Sequence, residues 1–207
     1  MQNERIHDCV YPMSSDMHKS IEAKLPVSMT SLVQTMIRVE HYPATSRILH
    51  WSIAILVLAT WPLGFVIHLV KGDTQPIFYA LHEGFGFLVI WLMLIRVGNK
   101  LLTRSPQTGG PRLERMAAHT VHGLLYLFLI LQPVSGFLAT NAHGFPLKWF
   151  GLVDIWSPIG KSPDIAWTLS AMHTWCGWIL LGLFAVHIGA VLMHHVIKRD
   201  DTLYRIL

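Results

Sequence analysis

Histidine is the residue type through which this chain could do chemistry: there are thirteen in 207 residues, and several fall inside strongly apolar stretches. His173 and His187 lie fourteen residues apart in the run 165–197. At 3.6 residues per turn that is close to four turns, so both imidazoles leave one helix face, separated by ~21 Å along the axis. Between them stand Trp178, Ile179, Leu180, Leu181, Leu183, Phe184 and Val186, with Gly177 and Gly182 as the small residues. A polar or ionisable group inside a bilayer is costly, so two on one face of a membrane helix state a functional hypothesis. The fitting occupant of two imidazole sites stacked on an apolar helix is a pair of haems. No Cys-x-x-Cys-His attachment sequence is present, so such haems would be of the non-covalent b type.

The elements that must hold these side chains follow from composition. Hydrophobic residues make up 52% of the chain and charged residues only 14%, which places it in the membrane class. Four runs are long and apolar enough to span a bilayer: 48–70, 77–102, 116–140 and 165–197. The reading is an all-α membrane protein, a four-transmembrane-helix bundle holding two b-type haems in residues 45–207. Residues 1–44 read as a polar, poorly ordered tail without a cleavable signal. Its His7, Cys9 and His18 match no metal-site spacing, and only a short stretch around 32–39 is amphipathic. Cys9 and Cys176 fall in a polar and an apolar segment, which makes no disulfide argument. The formal charge of +4 does not imply nucleic acid, because the basic residues bracket the apolar runs and form no patch.

That bracketing sets orientation. Arg38 and Arg47 precede the first run, Lys100, Arg104, Arg112 and Arg115 join the second to the third, and Lys198, Arg199 and Arg205 close the chain. The opposite side has Lys71, Lys148 and Lys161. Basic residues favour the cytoplasm, so both termini are expected there. The long connection 141–164, with Phe145, Trp149, Phe150 and Trp156, reads as an aromatic interfacial flap outside, and its His143 as solvent-facing.

Alternating helix direction then assigns depths. His50 opens the first run from the cytoplasmic side, whereas His82 and His173 lie early in runs that start outside, and His187 is about four turns further in. Two pairs result: His50 with His187, and His82 with His173. Two imidazoles across a porphyrin leave iron no open axial position, which suits electron transfer. By depth and face His194, seven residues beyond His187, competes with it. His119 and His122 suit a haem-propionate or quinone pocket as well as ligation. Gly84 and Gly86, beside His82, are expected to let a macrocycle approach the backbone, and Gln132-Pro133 with Gly136 to kink the third helix. A metal or proton transporter would need carboxylates in the spans, and only Glu83 is available.

Arg47-Ile48-Leu49-His50-Trp51, His82-Glu83-Gly84, His119-x-x-His122-Gly123, the His173/His187 interval, His194-His195 and Lys198-Arg199-Asp200-Asp201-Thr202-Leu203 together resemble the bacterial cytochrome b561 family, from about Thr45 to the C-terminus. The resemblance implies an inner-membrane di-haem b protein whose iron ligands are His50 and His187 on the cytoplasmic side and His82 and His173 on the periplasmic side, and so prefers His187 to His194. It further implies exchange with the ubiquinone pool, with a periplasmic-side donor that in some relatives is superoxide, hence a superoxide:ubiquinone oxidoreductase. A small anion of that kind would be drawn by Lys148 and Lys161. The alternative is a haem b membrane-anchor subunit that relays electrons for a partner enzyme such as a hydrogenase, with a periplasmic or membrane redox partner in place of an independent substrate.

Overall fold

The computed structural model describes residues 41–103, 106 and 111–207. Readings made on residues 1–40, including the disorder of the tail, its His7, Cys9 and His18 and the amphipathic stretch, lie outside these. Four helices are long and apolar enough to cross a membrane: α1 (Ala44–Val66), α2 (Gln75–Leu102), α3 (Arg112–His143) and α4 (Pro163–Leu192), the last continued by a π-helical turn over Met193–Lys198. At 1.5 Å per residue even the 23-residue α1 reaches ~35 Å, more than a hydrocarbon core of about 30 Å. Proline marks every start: Pro43 and Pro111 precede α1 and α3, Pro76 sits in the first turn of α2 and Pro163 opens α4. Its fixed φ suits a first turn, where its missing N–H has no intrahelical partner to lose.

The described residues divide into two packing units, residues 43–187 and residues 188–207 with the segment before Pro43. Within the first, α1 packs along α2 and α2 along α3, whereas the backbone of α4 stands off from the other three and meets them through side chains. The tight contact is the cluster Ile53, Val89 and Met93, flanked by Leu56, Leu92, Tyr126, Leu129 and Ile130, which joins α1, α2 and α3. Many other large apolar residues are exposed, among them Ile55, Leu58, Trp91, Ile95, Trp167, Trp175 and Ile188. Lipid tails solvate such side chains as well as a core would, so exposure here carries no penalty.

Two sequence expectations about local structure need correction. The 141–164 connection is not all loop: α3 runs on to His143, where Gly144 at φ 93° ends it in the left-handed conformation that glycine tolerates, and β1 (Lys148–Trp149) and β2 (Val153–Asp154) form a short antiparallel hairpin. His143 is not solvent-facing; Nε2 shares a 2.9 Å hydrogen bond with Ser170 Oγ and the ring packs edge-on against Trp167. In the second unit, Tyr42 N–H donates to Arg205 O at 2.9 Å, and His194 Nδ1 is engaged by the Asp200 carboxylate.

Candidate functional site

His82 and His173 face each other with ring centroids 6.0 Å apart and planes 88° apart. Each is held the same way from the preceding helix. His82 Nδ1–H donates to Thr60 O on α1 and His173 Nδ1–H to Gln132 O on α3, both at 2.9 Å. Four residues beyond each acceptor stands a glycine, Gly64 and Gly136, and a Cβ at either would come within 2.7 Å and 2.8 Å of the respective ring Cε1. The arrangement therefore repeats: a carbonyl, then a glycine one turn on, together lock the imidazole of the next helix. A ring whose Nδ1–H is bound to a carbonyl carries its lone pair on Nε2, the tautomer that ligates a metal.

The spacing can be tested against a metal between the rings. Metal–imidazole bonds of about 2 Å on each side, plus about 1.1 Å from each nitrogen to its ring centroid, require centroids ~6 Å apart. His82 and His173 meet that requirement, and so do His50 and His187 at 6.3 Å and 73°. His122 also approaches His187, but at 5.3 Å the two rings are too close to face each other on opposite sides of an iron. The four rings are half-buried, whereas His119 and His122 are exposed. Gln132 Nε2 sits 3.4 Å from His173 Nε2, the atom that would bind a metal, so this side chain has to turn aside for a group between the rings. Haem b thus fits the residues present.

The surroundings of the two pairs differ. Near His50 and His187, Arg96 donates from Nε to Tyr126 OH at 3.0 Å and from Nη1 to Ser46 O at 3.1 Å. Asn99 Nδ2 donates to Ser46 Oγ at 2.7 Å, and Lys100 Nζ lies 4.6 Å over the Tyr126 ring. The Arg96 guanidinium is close enough to act on His50, His122 and His187 electrostatically. Near His82 and His173 no cation among the described residues takes that part; Glu83 accepts the Thr140 hydroxyl at 3.1 Å and Trp149 Nε1–H donates to Gly84 O at 3.3 Å.

Gly84 does not serve as expected: it is covered by the Phe150 ring, which a Cβ there would meet at 2.6 Å, so no macrocycle reaches that backbone. Around Gly86 there is open space. The glycines that matter to the rings, Gly64 and Gly136, and the carbonyls of Thr60 and Gln132 were not read from the sequence in this role. Their signal was present as two stretches, Thr60-x-Pro62-x-Gly64 and Gln132-Pro133-x-x-Gly136. Arg96 was not read from the sequence in this role either. His194 has its Nδ1 turned to Asp200, with Thr202 Oγ1 at 3.4 Å.

A sequence model of the prokaryotic cytochrome b561 family matches residues 41–207. Cytochrome b561 homolog 2 of Escherichia coli K12 is 32% identical over 177 residues, covering 81% of this chain and 92% of the relative. Probable superoxide oxidase CybB of Yersinia pestis is 27% identical, covering 77% of this chain and 91% of its own length, and cytochrome b561 homolog 1 of E. coli is 25% identical, covering 80% and 96%. With four helices fit to cross a bilayer and a family match over most of its length, the chain belongs to the prokaryotic cytochrome b561 family, bacterial membrane proteins that bind haem b and transfer electrons.

Proposed function

We propose that the chain holds two b-type haems, one between His50 and His187 and one between His82 and His173. On this reading residues 45–207 form an inner-membrane domain with both termini in the cytoplasm, and it conducts electrons from a periplasmic-side donor to ubiquinone. The observation that carries the reading is the equal spacing of the two imidazole pairs, 6.0 and 6.3 Å, each matched to a metal between them. Haem b held by these four imidazoles would supply a one-electron iron couple for electron transfer. The chain's own residues fix tautomer and ring angle through the Thr60 and Gln132 carbonyls, and set unequal fields through Arg96, which acts on His50 and His187.

A relative named as a probable superoxide oxidase supports superoxide as the donor. The net reaction balances when two superoxide ions lose one electron each, giving two O2, and one quinone gains two electrons and two protons. Protons must reach the quinone from the cytoplasmic end, where the His194–Asp200 pair in the turn after α4 provides an imidazole and a carboxylate in hydrogen-bond contact. Purified protein in nanodiscs, given superoxide and a ubiquinone analogue, should form quinol with that stoichiometry. Haem-replete protein that passes no electrons to quinone alone would instead be a membrane anchor for a partner oxidoreductase.

A further inference from the structure

The two outer lysines, equivalent in the sequence, are not equivalent in the fold. Lys148 Nζ lies 3.3 Å from Asp154 Oδ1 across the hairpin, so the pair contributes no net charge. Lys161 has no carboxylate within ion-pair distance among the described residues. Its stem lies over Gly144, where a Cβ would stand 3.0 Å from Cδ and 3.5 Å from Cε, and the next residue fixes the crossing, Ser162 N–H donating to Ala142 O at 2.9 Å. The exposed ammonium is thereby brought to the end of α3 that carries His143.

His143 is built into this position. Its Nε2 shares the hydrogen bond with Ser170 Oγ, and Trp167 meets its ring edge-on at 5.3 Å. That bond occupies Nε2 and leaves Nδ1 for another ligand, which an anion would meet with the ring proton on Nδ1 and the Ser170 hydroxyl donating to Nε2. Ser170 precedes His173 by three residues, about 4.5 Å along α4. The carboxylates on this side are Glu83, which accepts the Thr140 hydroxyl, Asp164 in the first turn of α4, Asp154 paired with Lys148, and Asp73 in the connection before α2.

We propose that Lys161 and His143, backed by Ser170, form a docking position for a small anionic one-electron donor one helical turn from the outer imidazole pair. This rests on the reading above in that the outer pair accepts the electron. The donor gives up one electron and its negative charge together. Superoxide would leave as neutral O2 with no bond broken and no proton moved, and a neutral product has no hold on an ammonium. A lysine at a helix C-terminus also compensates the helix dipole. That role alone would not discriminate between donors by charge.

The test uses haem-replete protein in nanodiscs and stopped-flow reduction of the outer haem by three donors: superoxide, dithionite, which acts through an anion radical, and reduced methyl viologen, a cation. Lys161→Gln should slow the two anionic donors roughly 3- to 10-fold at low salt and flatten their salt dependence, without slowing the viologen. Lys161→Arg should retain the rate, and the charge-neutral double variant Lys148→Gln/Asp154→Asn should match wild type. Crystals soaked in bromide should show an anomalous peak beside Lys161 that Lys161→Gln abolishes. Equal slowing by anionic and cationic donors, or unchanged anionic rates in Lys161→Gln, would overturn the site. Wild type that dithionite reduces with this charge selectivity, but superoxide does not reduce, would remove superoxide from the proposed function and leave the anion site standing.

Discussion

The imidazole pair His82/His173 and the pair His50/His187 share a spacing but not a means of support. The first is framed by backbone: two carbonyls fix Nδ1 and two glycines make room, and no side-chain charge is needed. The second is framed by side chains, with a guanidinium and a third imidazole nearby. The difference teaches that one pair is tuned for rigid position and the other for electrostatic field. Each can be broken separately.

The largest separable effect should come from the glycines. Gly64→Ala or Gly136→Ala drives a methyl group into the His82 or His173 ring. Overpacking of this kind costs about 1–3 kcal/mol, or roughly 5- to 150-fold in affinity at 1.4 kcal/mol per decade. Loss of one spectral haem component, with the other at full intensity, is the expected result in a reduced-minus-oxidised spectrum. Gly182→Ala, which meets open space, should change nothing.

A smaller effect should mark the other pair. Oxidised iron carries one more positive charge than reduced iron, so a nearby cation favours the reduced state. Arg96→Gln should therefore lower the midpoint potential of the His50/His187 component, on the order of tens of millivolts, and leave the other unmoved. Equal shifts in both components would erase the contrast drawn here.

The smallest lies beyond both pairs, in the C-terminal turn. Burial raises the Asp200 pKa, but hydrogen bonds from the Thr202 side chain, His194 and the Thr202 N–H outweigh it and hold the carboxyl below its usual value. A depressed folded-state pKa gives stability that is present above the unfolded value near 3.9 and is lost as pH falls through the folded one. Hydrogen exchange in 194–205 should thus quicken only below about pH 4, and Asp200→Asn should remove that pH dependence while sparing both haem spectra.

The four spans, their order and the histidines were legible because bilayer length and charge bracketing act on composition directly. Legibility ended where backbone became the functional group. A carbonyl has no letter of its own, so Thr60 and Gln132 could not be told from any helical residue, and a glycine that admits an imaginary macrocycle reads the same as Gly84, which admits a phenyl ring from 66 residues away. His143 was misjudged for a related reason: α3 runs to its position, and its partner Ser170 is distant in sequence. Lys148 and Lys161 could be separated only once the hairpin register set Asp154 opposite one of them.

The pairing itself is best tested by haem count and potentiometric titration across single alanine variants of His50, His82, His173, His187 and His194. Two haems per chain are expected in wild type and in His194→Ala. One haem is expected in each of the other four, with His50→Ala and His187→Ala losing the same component and His82→Ala and His173→Ala the other. If His194→Ala lost the component that His50→Ala loses while His187→Ala kept it, or if wild type carried a single haem, the assignment of the ligand pairs would be contradicted.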